Sequence, residues 1–254
     1  MLGLKSKVYH SAAFGVIFAL RNEAYCLLRA IIFDFDGVLV DSEPLILKLT
    51  QEMAAQEGWT LGEKEYYRDY LALDDRGIVE RLYRSHGRAL DPRRRDELVA
   101  WKARAYEAAI RDGLVPMPGA VEFVRLTAAE LPVAIASGSW RSEVDHLLSK
   151  LGVREEFQVL ATAEDVPQSK PHPEIFQKAL AGLRQLETFR KKPLAASQCL
   201  AVEDAPGGIE AAHAAGMKCL ALTHTRPAAE LRSADWVFDH FAEIDLAKIR
   251  TAFC

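Results

Sequence analysis

Asp34 and Asp36 stand two residues apart at the end of an apolar run that starts at Ala30. In an extended chain, residues two apart share a face, so a strand that persists to Asp36 sends both carboxylates the same way. Close carboxylates repel, and an unpaired buried charge is costly. A divalent cation relieves both problems. Magnesium takes oxygen ligands, keeps several waters and is held by one or two carboxylates together with a substrate phosphate. Glu203 and Asp204 close a second apolar run and can complete the set, giving Asp34, Asp36, Glu203 and Asp204 as candidate ligands. For Asp-x-Asp alone, a solvated acidic turn competes on even terms.

Ser137 ends a third apolar run, and Gly138 follows it with no β-carbon to obstruct a ligand. A hydroxyl and successive backbone amides ahead of a helix form an anion cradle. An ordinary serine N-cap is the competing reading. Lys170 precedes Pro171, which holds it extended, and the pattern predicts a helix over 171–183. A lysine at a helix N-terminus opposes the macrodipole, so an anionic partner, phosphate or aspartate, is expected there. A surface lysine in a proline-rich turn competes. His172 reads as a surface or capping residue.

These residues need a frame that brings them together. Short apolar runs at 30–35, 132–137, 157–161, 199–203, 217–222 and, more weakly, 235–238 alternate with amphipathic helical stretches. Such runs read as parallel strands buried on both faces. The expected fold is α/β, a doubly wound Rossmann-like parallel sheet. Ligands bind beyond the carboxyl ends of such strands, which is where the acids and hydroxyls gather.

The interval between the first two runs is far too long for one crossover helix and has helical texture. Helices are predicted over 44–56, 62–70, 77–85 and 93–111. Asp91-Pro92 supplies an N-cap with proline at the first helical position, and Leu98, Trp101, Ala105 and Ala109 mark an apolar spacing. The division expected is an N-terminal extension at 1–29, a core at 30–47 and 113–254, and an inserted helical domain at 48–112 over the active edge. Residues 113–119 have hinge-like composition, and 185–197 reads as a surface loop. In Val202-Glu203-Asp204-Ala205-Pro206-Gly207-Gly208, the glycines let the following helix approach closely.

The 254 residues are 50% hydrophobic and 27% charged, the balance of a globular chain able to bury a core without staples. With 32 basic and 36 acidic residues the net charge is −4, so no bulk electrostatic grip on nucleic acid or an anionic membrane is expected. Cys26, Cys199, Cys219 and Cys254 form no C-x-x-C pair, which argues against a zinc ribbon or thioredoxin-type site and fits a reducing, cytoplasmic compartment. No apolar run approaches the ~20 residues of a membrane span. Lys5 and Lys7 precede an apolar stretch at 11–20 that faintly resembles a signal peptide, but Arg21, Asn22 and Glu23 follow with no small-x-small cleavage site. An early start codon and a packed N-terminal helix are favoured over a targeting extension.

In order, Asp34-Phe35-Asp36-Gly37-Val38, Ser137, Lys170-Pro171 and Glu203-Asp204 resemble the motifs of the haloacid-dehalogenase-like (HAD) hydrolase superfamily over residues 30–239. The chain is most similar to the branch with a helical cap between the first two motifs, which includes β-phosphoglucomutase-like enzymes and sugar-phosphate phosphatases. The resemblance implies a magnesium-dependent phosphatase for a small phosphorylated metabolite, a sugar phosphate, with an aspartyl-phosphate intermediate. Asp34 would be the nucleophile. Asp36 would protonate the leaving oxygen and then deprotonate water. Mg2+ would be held by the Asp34 carboxylate, the Asp36 backbone carbonyl and Asp204, with Glu203 in support. Lys170 and Ser137 would neutralise phosphoryl oxygens. The second acid argues against dehalogenation.

Arg76, in the inserted domain, is a candidate for the substrate's far end, with a solvated charged turn equally open. Trp140 and Arg141 border the pocket or a helix face. Ile46 stands where mutases of the branch carry histidine, and Ala205 replaces a frequent serine. A phosphomutase and a non-catalytic HAD-fold binding protein remain as alternatives. The partner expected is a small-molecule phosphate ester, and the chain a monomer or weak homodimer.

Overall fold

The computed structural model describes residues 28–253 apart from 72 and 74. The N-terminal extension therefore lies outside the described residues except for Leu28 and Arg29. Six strands form one sheet: β1 (Ala30–Phe33), β2 (Val133–Ala136), β3 (Phe157–Ala161), β4 (Cys199–Glu203), β5 (Lys218–Leu222) and β6 (Trp236–Phe238). The order is β3-β2-β1-β4-β5-β6, and every pairing is parallel. All residues of β1, β2 and β4 are buried, as central strands covered on both faces require. The protein is an α/β doubly wound, Rossmann-like fold.

Period-two alternation divides the strands between two unlike faces. Ile31, Phe33, Val133, Ile135, Leu200 and Val202 enter one apolar core with Phe123, Phe157 and Phe241. Ala30, Ile32, Ala134, Ala136, Cys199, Ala201 and Cys219 enter the other. The small residues of this second face leave room for α7 (Glu174–Leu183) and α9 (Pro206–Ala214) to lie close to the sheet. Residues 185–197 are not simply a surface loop. They include α8 (Glu187–Arg190), and Phe189 and Leu194 are buried in this second core, because its small strand residues leave apolar space to fill.

Between β1 and β2 lie α1 (Glu43–Gln56), α2 (Glu63–Asp69), α3 (Asp75–Ser85), α4 (Pro92–Ala109) and then α5 (Ala120–Ala128). The first four bury their own core of Met53, Tyr66, Ile78, Leu82 and Leu98. Asp91 caps α4 by accepting a hydrogen bond from the Arg93 N–H at 2.9 Å, with Pro92 at the first helical position. The two tethers of this insert run side by side: the Asp41 N–H donates to Val115 O at 2.9 Å, and Val40 bridges Pro116.

The buried stripe of α4 differs from the predicted apolar spacing. Trp101 and Ala105 are half-buried and Ala109 is exposed, whereas Leu98, Lys102 and Ile110 are buried. Packing against two separate cores, and not side-chain polarity alone, selects that face. Between β2 and β3 lies α6 (Arg141–Lys150), and α10 (Leu246–Thr251) ends the fold. Among the described residues no helix is long and apolar enough to cross a membrane.

Candidate active site

The order of the strands sends the chain outward from β1 in one direction and from β4 in the other. The crevice beyond their carboxyl ends is the topological switch point, where open α/β sheets bind ligands. Asp34 follows β1 directly, and its N–H donates to Val202 O at 2.9 Å, extending the β1–β4 ladder by one step. Glu203 is the last residue of β4 and Asp204 the next. One carboxylate oxygen from each of Asp34, Glu203 and Asp204 lies within 4.8 Å of the others.

Lys170 lies in the loop between β3 and α7. Its Nζ is 2.7 Å from Asp34 Oδ1 and 2.7 Å from Glu203 Oε1. The anionic partner expected for Lys170 is present, though the reason differs. The helix begins at Glu174 and not at Pro171, so Lys170 sits in the preceding loop, away from the helix terminus. Burial favours the neutral amine, but Asp34 and Glu203 outweigh it and hold Lys170 above the usual lysine range as ammonium.

One ammonium does not balance three carboxylates. Burial, reinforced by Asp34, pushes Glu203 up to about 7 against the pull of Lys170. Burial and the charges of Asp34 and Glu203 likewise raise Asp204 well above the carboxylate range. Thr225 donates its hydroxyl to Asp204, and the Asp204 N–H donates to Glu203 Oε2 at 3.3 Å. Gly37, at φ +72°, makes room here: a β-carbon on it would fall 2.0 Å from Asp204 Oδ2. The trio offers only hard oxygen donors, a set that suits magnesium better than zinc or copper.

Asp36 departs from the shared-face expectation. Regular strand geometry ends at Phe33, the chain turns through Gly37, and the Asp36 carboxylate stands outside the acid trio. It accepts instead the hydroxyl hydrogen bond of Ser139, beyond β2. The Asp36 side chain is thus not among the three carboxylates that could share a metal ion; the carbonyl role implied by the resemblance does not depend on its side chain. Burial raises the Asp36 pKa and nearby Asp34 adds to the rise, while the Ser139 hydrogen bond works against it.

Ser137 is fully buried, its N–H donates to Ala161 O at 3.0 Å, and its Oγ accepts from the Ser139 N–H at 3.0 Å. The N-cap of α6 is Trp140, so Ser137 is not an ordinary cap. Open space lies where a β-carbon of Gly138 would point. Ser137, Gly138 and Lys170 share the wall of a cavity of about 180 Å³ with Val166, Pro167 and Ile175. Arg76 is exposed on the first turn of α3, and among the described residues no hydrogen bond or ion pair joins it to Asp34, Asp36 or Lys170. Trp140 is exposed. Arg141 binds Leu160 O at 3.0 Å and Asp165 at 2.6 Å, which ties α6 to the end of β3.

Ser139 and Thr225, which hold two of the carboxylates, were not singled out by motif. Both follow strand ends, and that position is the signal that marks them.

The model described as haloacid dehalogenase-like hydrolase matches residues 31–222. Protein CbbY of Rhodobacter capsulatus is 32% identical over 82% of this chain and 92% of its own length. Hexitol phosphatase B of Escherichia coli is 30% identical over 76% of this chain and 82% of its own. The crystal structure of CbbY from Rhodobacter sphaeroides with xylulose-(1,5)bisphosphate has a TM-score of 0.72 and 25% identity, and the match covers 85% of this chain and 96% of that one. With the family match over residues 31–222 spanning five of the six strands, the insert and all four motifs, the chain belongs to the haloacid dehalogenase-like hydrolases.

Proposed function

We propose that the chain is a magnesium-dependent phosphomonoester hydrolase acting on a small phosphorylated metabolite, a sugar phosphate, through an aspartyl-phosphate intermediate. The observation that carries this reading is the convergence of Asp34, Glu203 and Asp204 within 4.8 Å, with Lys170 bridging two of them. The Asp34 and Asp204 carboxylates and the Asp36 carbonyl, with Glu203 in support, would hold a dication, which would supply Lewis-acid polarisation of a phosphoryl oxygen.

The side chains account for the remaining steps. Asp34 attacks phosphorus and forms the acyl-phosphate bond as the bond to the leaving oxygen breaks. Asp36, held by Ser139, gives that oxygen a proton. It then takes a proton from the water that attacks the aspartyl-phosphate, which frees inorganic phosphate and restores Asp34. Lys170 and Ser137 offset charge on the phosphoryl oxygens, and Gly138 lets them approach the backbone. Glu203 keeps Lys170 in place at 2.7 Å.

Relatives named as phosphatases support the hydrolase over the mutase. Ile46 also does: it packs against the core of the insert and has no group that moves a proton. Retention of both Asp34 and Lys170 speaks against a binding protein without catalysis. The same reading takes the enzyme as cytoplasmic, a monomer or weak homodimer, with residues 48–112 as its cap. Phosphate release from a panel of phosphometabolites, with and without magnesium, tests it. Turnover is expected to need magnesium and to vanish in Asp34→Asn with the circular dichroism spectrum intact; full activity in that variant removes Asp34 as nucleophile.

A further inference from the structure

We infer that His224 is a positioning residue for proton transfer: its Nδ1–H holds the carbonyl of Gly37 and so fixes the turn from which Asp36 reaches the leaving oxygen. This rests on the phosphatase reading and adds to it a residue outside the four motifs.

The turn lies beyond the reach of the sheet. β1 ends at Phe33, and the Asp34 N–H extends its ladder by one bond. Past that point the Gly37 N–H donates to Val40 O at 2.9 Å, and the Leu39 and Val40 N–H groups donate to Phe35 O at 2.8 and 3.3 Å. These bonds stay within the turn. Gly37, at φ +72°, has no side chain to anchor it. From outside, His224 Nδ1 lies 3.0 Å from Gly37 O. A carbonyl oxygen accepts, so Nδ1 carries the proton.

The loop that carries His224 is itself held. It follows β5, at the sheet edge where the acids gather. Thr223 donates its N–H to Phe238 O at 3.0 Å and its hydroxyl to Asp239 Oδ1 at 2.6 Å, which ties the loop to the end of β6. Thr225 donates its hydroxyl to Asp204. A β-carbon on Gly37 would fall 2.8 Å from Thr225 Cγ2, so loop and turn are in close contact. The hold on Gly37 thus comes from an anchored element.

Packing alone does not account for a histidine here. Its Nε2 is buried and has no hydrogen-bond partner among the described residues. Burial is the main cause that lowers the His224 pKa, against the pull of the Gly37 carbonyl, and the ring is neutral. A buried acceptor without a partner costs free energy. A phenylalanine would occupy the same space beside Phe241, 5.8 Å away between ring centroids, without that cost. What the histidine adds is the Nδ1–H.

The direction of Asp36 depends on two holds. Ser139 donates to its carboxylate, and His224 fixes the peptide next to it. A general acid acts only within hydrogen-bond reach of the oxygen it protonates. An alkoxide leaving group needs that proton. A nitrophenolate is a weak base and leaves with little help.

The test compares kcat/KM at saturating magnesium for alkyl phosphates (glucose 6-phosphate, sorbitol 6-phosphate and glycerol 2-phosphate) with that for p-nitrophenyl phosphate. His224→Phe keeps a ring against Phe241 and removes the donor. It is expected to lower kcat/KM about tenfold or more on the alkyl ester that the wild type turns over fastest, and less than about threefold on p-nitrophenyl phosphate. His224→Asn places an amide N–H where Nδ1 stood and loses the ring. It is expected to melt at a lower temperature, yet to stay within about threefold of the wild type on both esters. His224→Leu carries the same test as His224→Phe if the latter does not fold.

An equal loss on both esters in the apolar variant, no loss on the alkyl ester, or a greater loss in His224→Asn than in His224→Phe overturns the inference. Each of these leaves the phosphatase reading standing. Absence of phosphate release by the wild type from every ester overturns that reading, and this inference with it.

Discussion

A β-carbon at Gly208 would fall 2.0 Å from the Glu203 carboxylate. The helix that follows β4 can therefore close over Glu203 only because position 208 is glycine. Gly208→Ala is expected to push Glu203 off Lys170, to destabilise the fold by about 1–3 kcal/mol through overpacking, and to weaken magnesium binding. At the neighbouring Gly207, a β-carbon would meet nothing closer than Pro171 at 4.0 Å. Gly207→Ala is the control and should stay within about 0.5 kcal/mol of the wild type. Urea unfolding and a magnesium titration of both variants check the contrast. Equal effects at 207 and 208 would remove the steric account.

Lys170 is the cation that stands 2.7 Å from each of two buried carboxylates, Asp34 and Glu203. Lys170→Met leaves Asp34 and Glu203 facing one another unpaired. Breaking a buried pair by removing one partner costs about 3–5 kcal/mol, so the metal-free variant should unfold at clearly lower urea. Added magnesium is expected to recover part of this stability but not phosphate release, because charge balance is restored without the phosphoryl contact. Recovery of turnover by magnesium alone would take Lys170 out of the reaction.

The acid trio also fixes how magnesium and pH interact. Glu203 is pushed up to about 7 by burial and Asp34, and Asp204 is raised as well. For an acid raised on folding, stabilisation is complete below its unfolded value and is lost as pH rises through the folded one. In EDTA the melting temperature should thus fall between about pH 5 and 8. Magnesium binds the ionised form, so its stabilising effect should be larger at pH 8 than at pH 5. Melting curves at both pH values with magnesium or EDTA measure this. A larger magnesium effect at pH 5 contradicts a site of these three carboxylates.

Much of this site is readable before folding because strand ends are readable. β1, β2 and β4 are buried on both faces, so they appear as unbroken apolar runs, and the polar residues that stop them are the ones the sheet edge collects. Asp34, Ser137, Glu203 and Asp204 fall in this class. Asp36 does not, since its direction depends on where regular strand geometry ends, and a difference of one or two residues decides that. Lys102 is hidden for another reason. On a helix rich in charged residues a lysine reads as solvated face, whereas in the fold it is buried and paired with Asp75 of a neighbouring helix of the insert.

Glu143 gives a titration separable from the acid trio. It sits on the first turn of α6, and its carboxylate accepts the Trp140 N–H at 3.1 Å. Burial is the main cause that pushes it up to about 7; the Trp140 hydrogen bond opposes the rise, and repulsion from Asp36 and Asp75 adds to it. Folding therefore favours its protonated form. Its stabilising contribution is full below the unfolded value, near 4.5, and disappears as pH rises through about 7. Glu143→Gln keeps an acceptor for the Trp140 N–H and cannot ionise. The melting temperature of the variant should gain on that of the wild type steadily from pH 5 to pH 8, where Glu143 has become a repelling charge beside Asp36. Solvent screening of this half-buried group keeps the gain modest. Parallel melting profiles for variant and wild type across that range would show that Glu143 titrates as an ordinary surface carboxylate, with no acidic neighbours pressing on it.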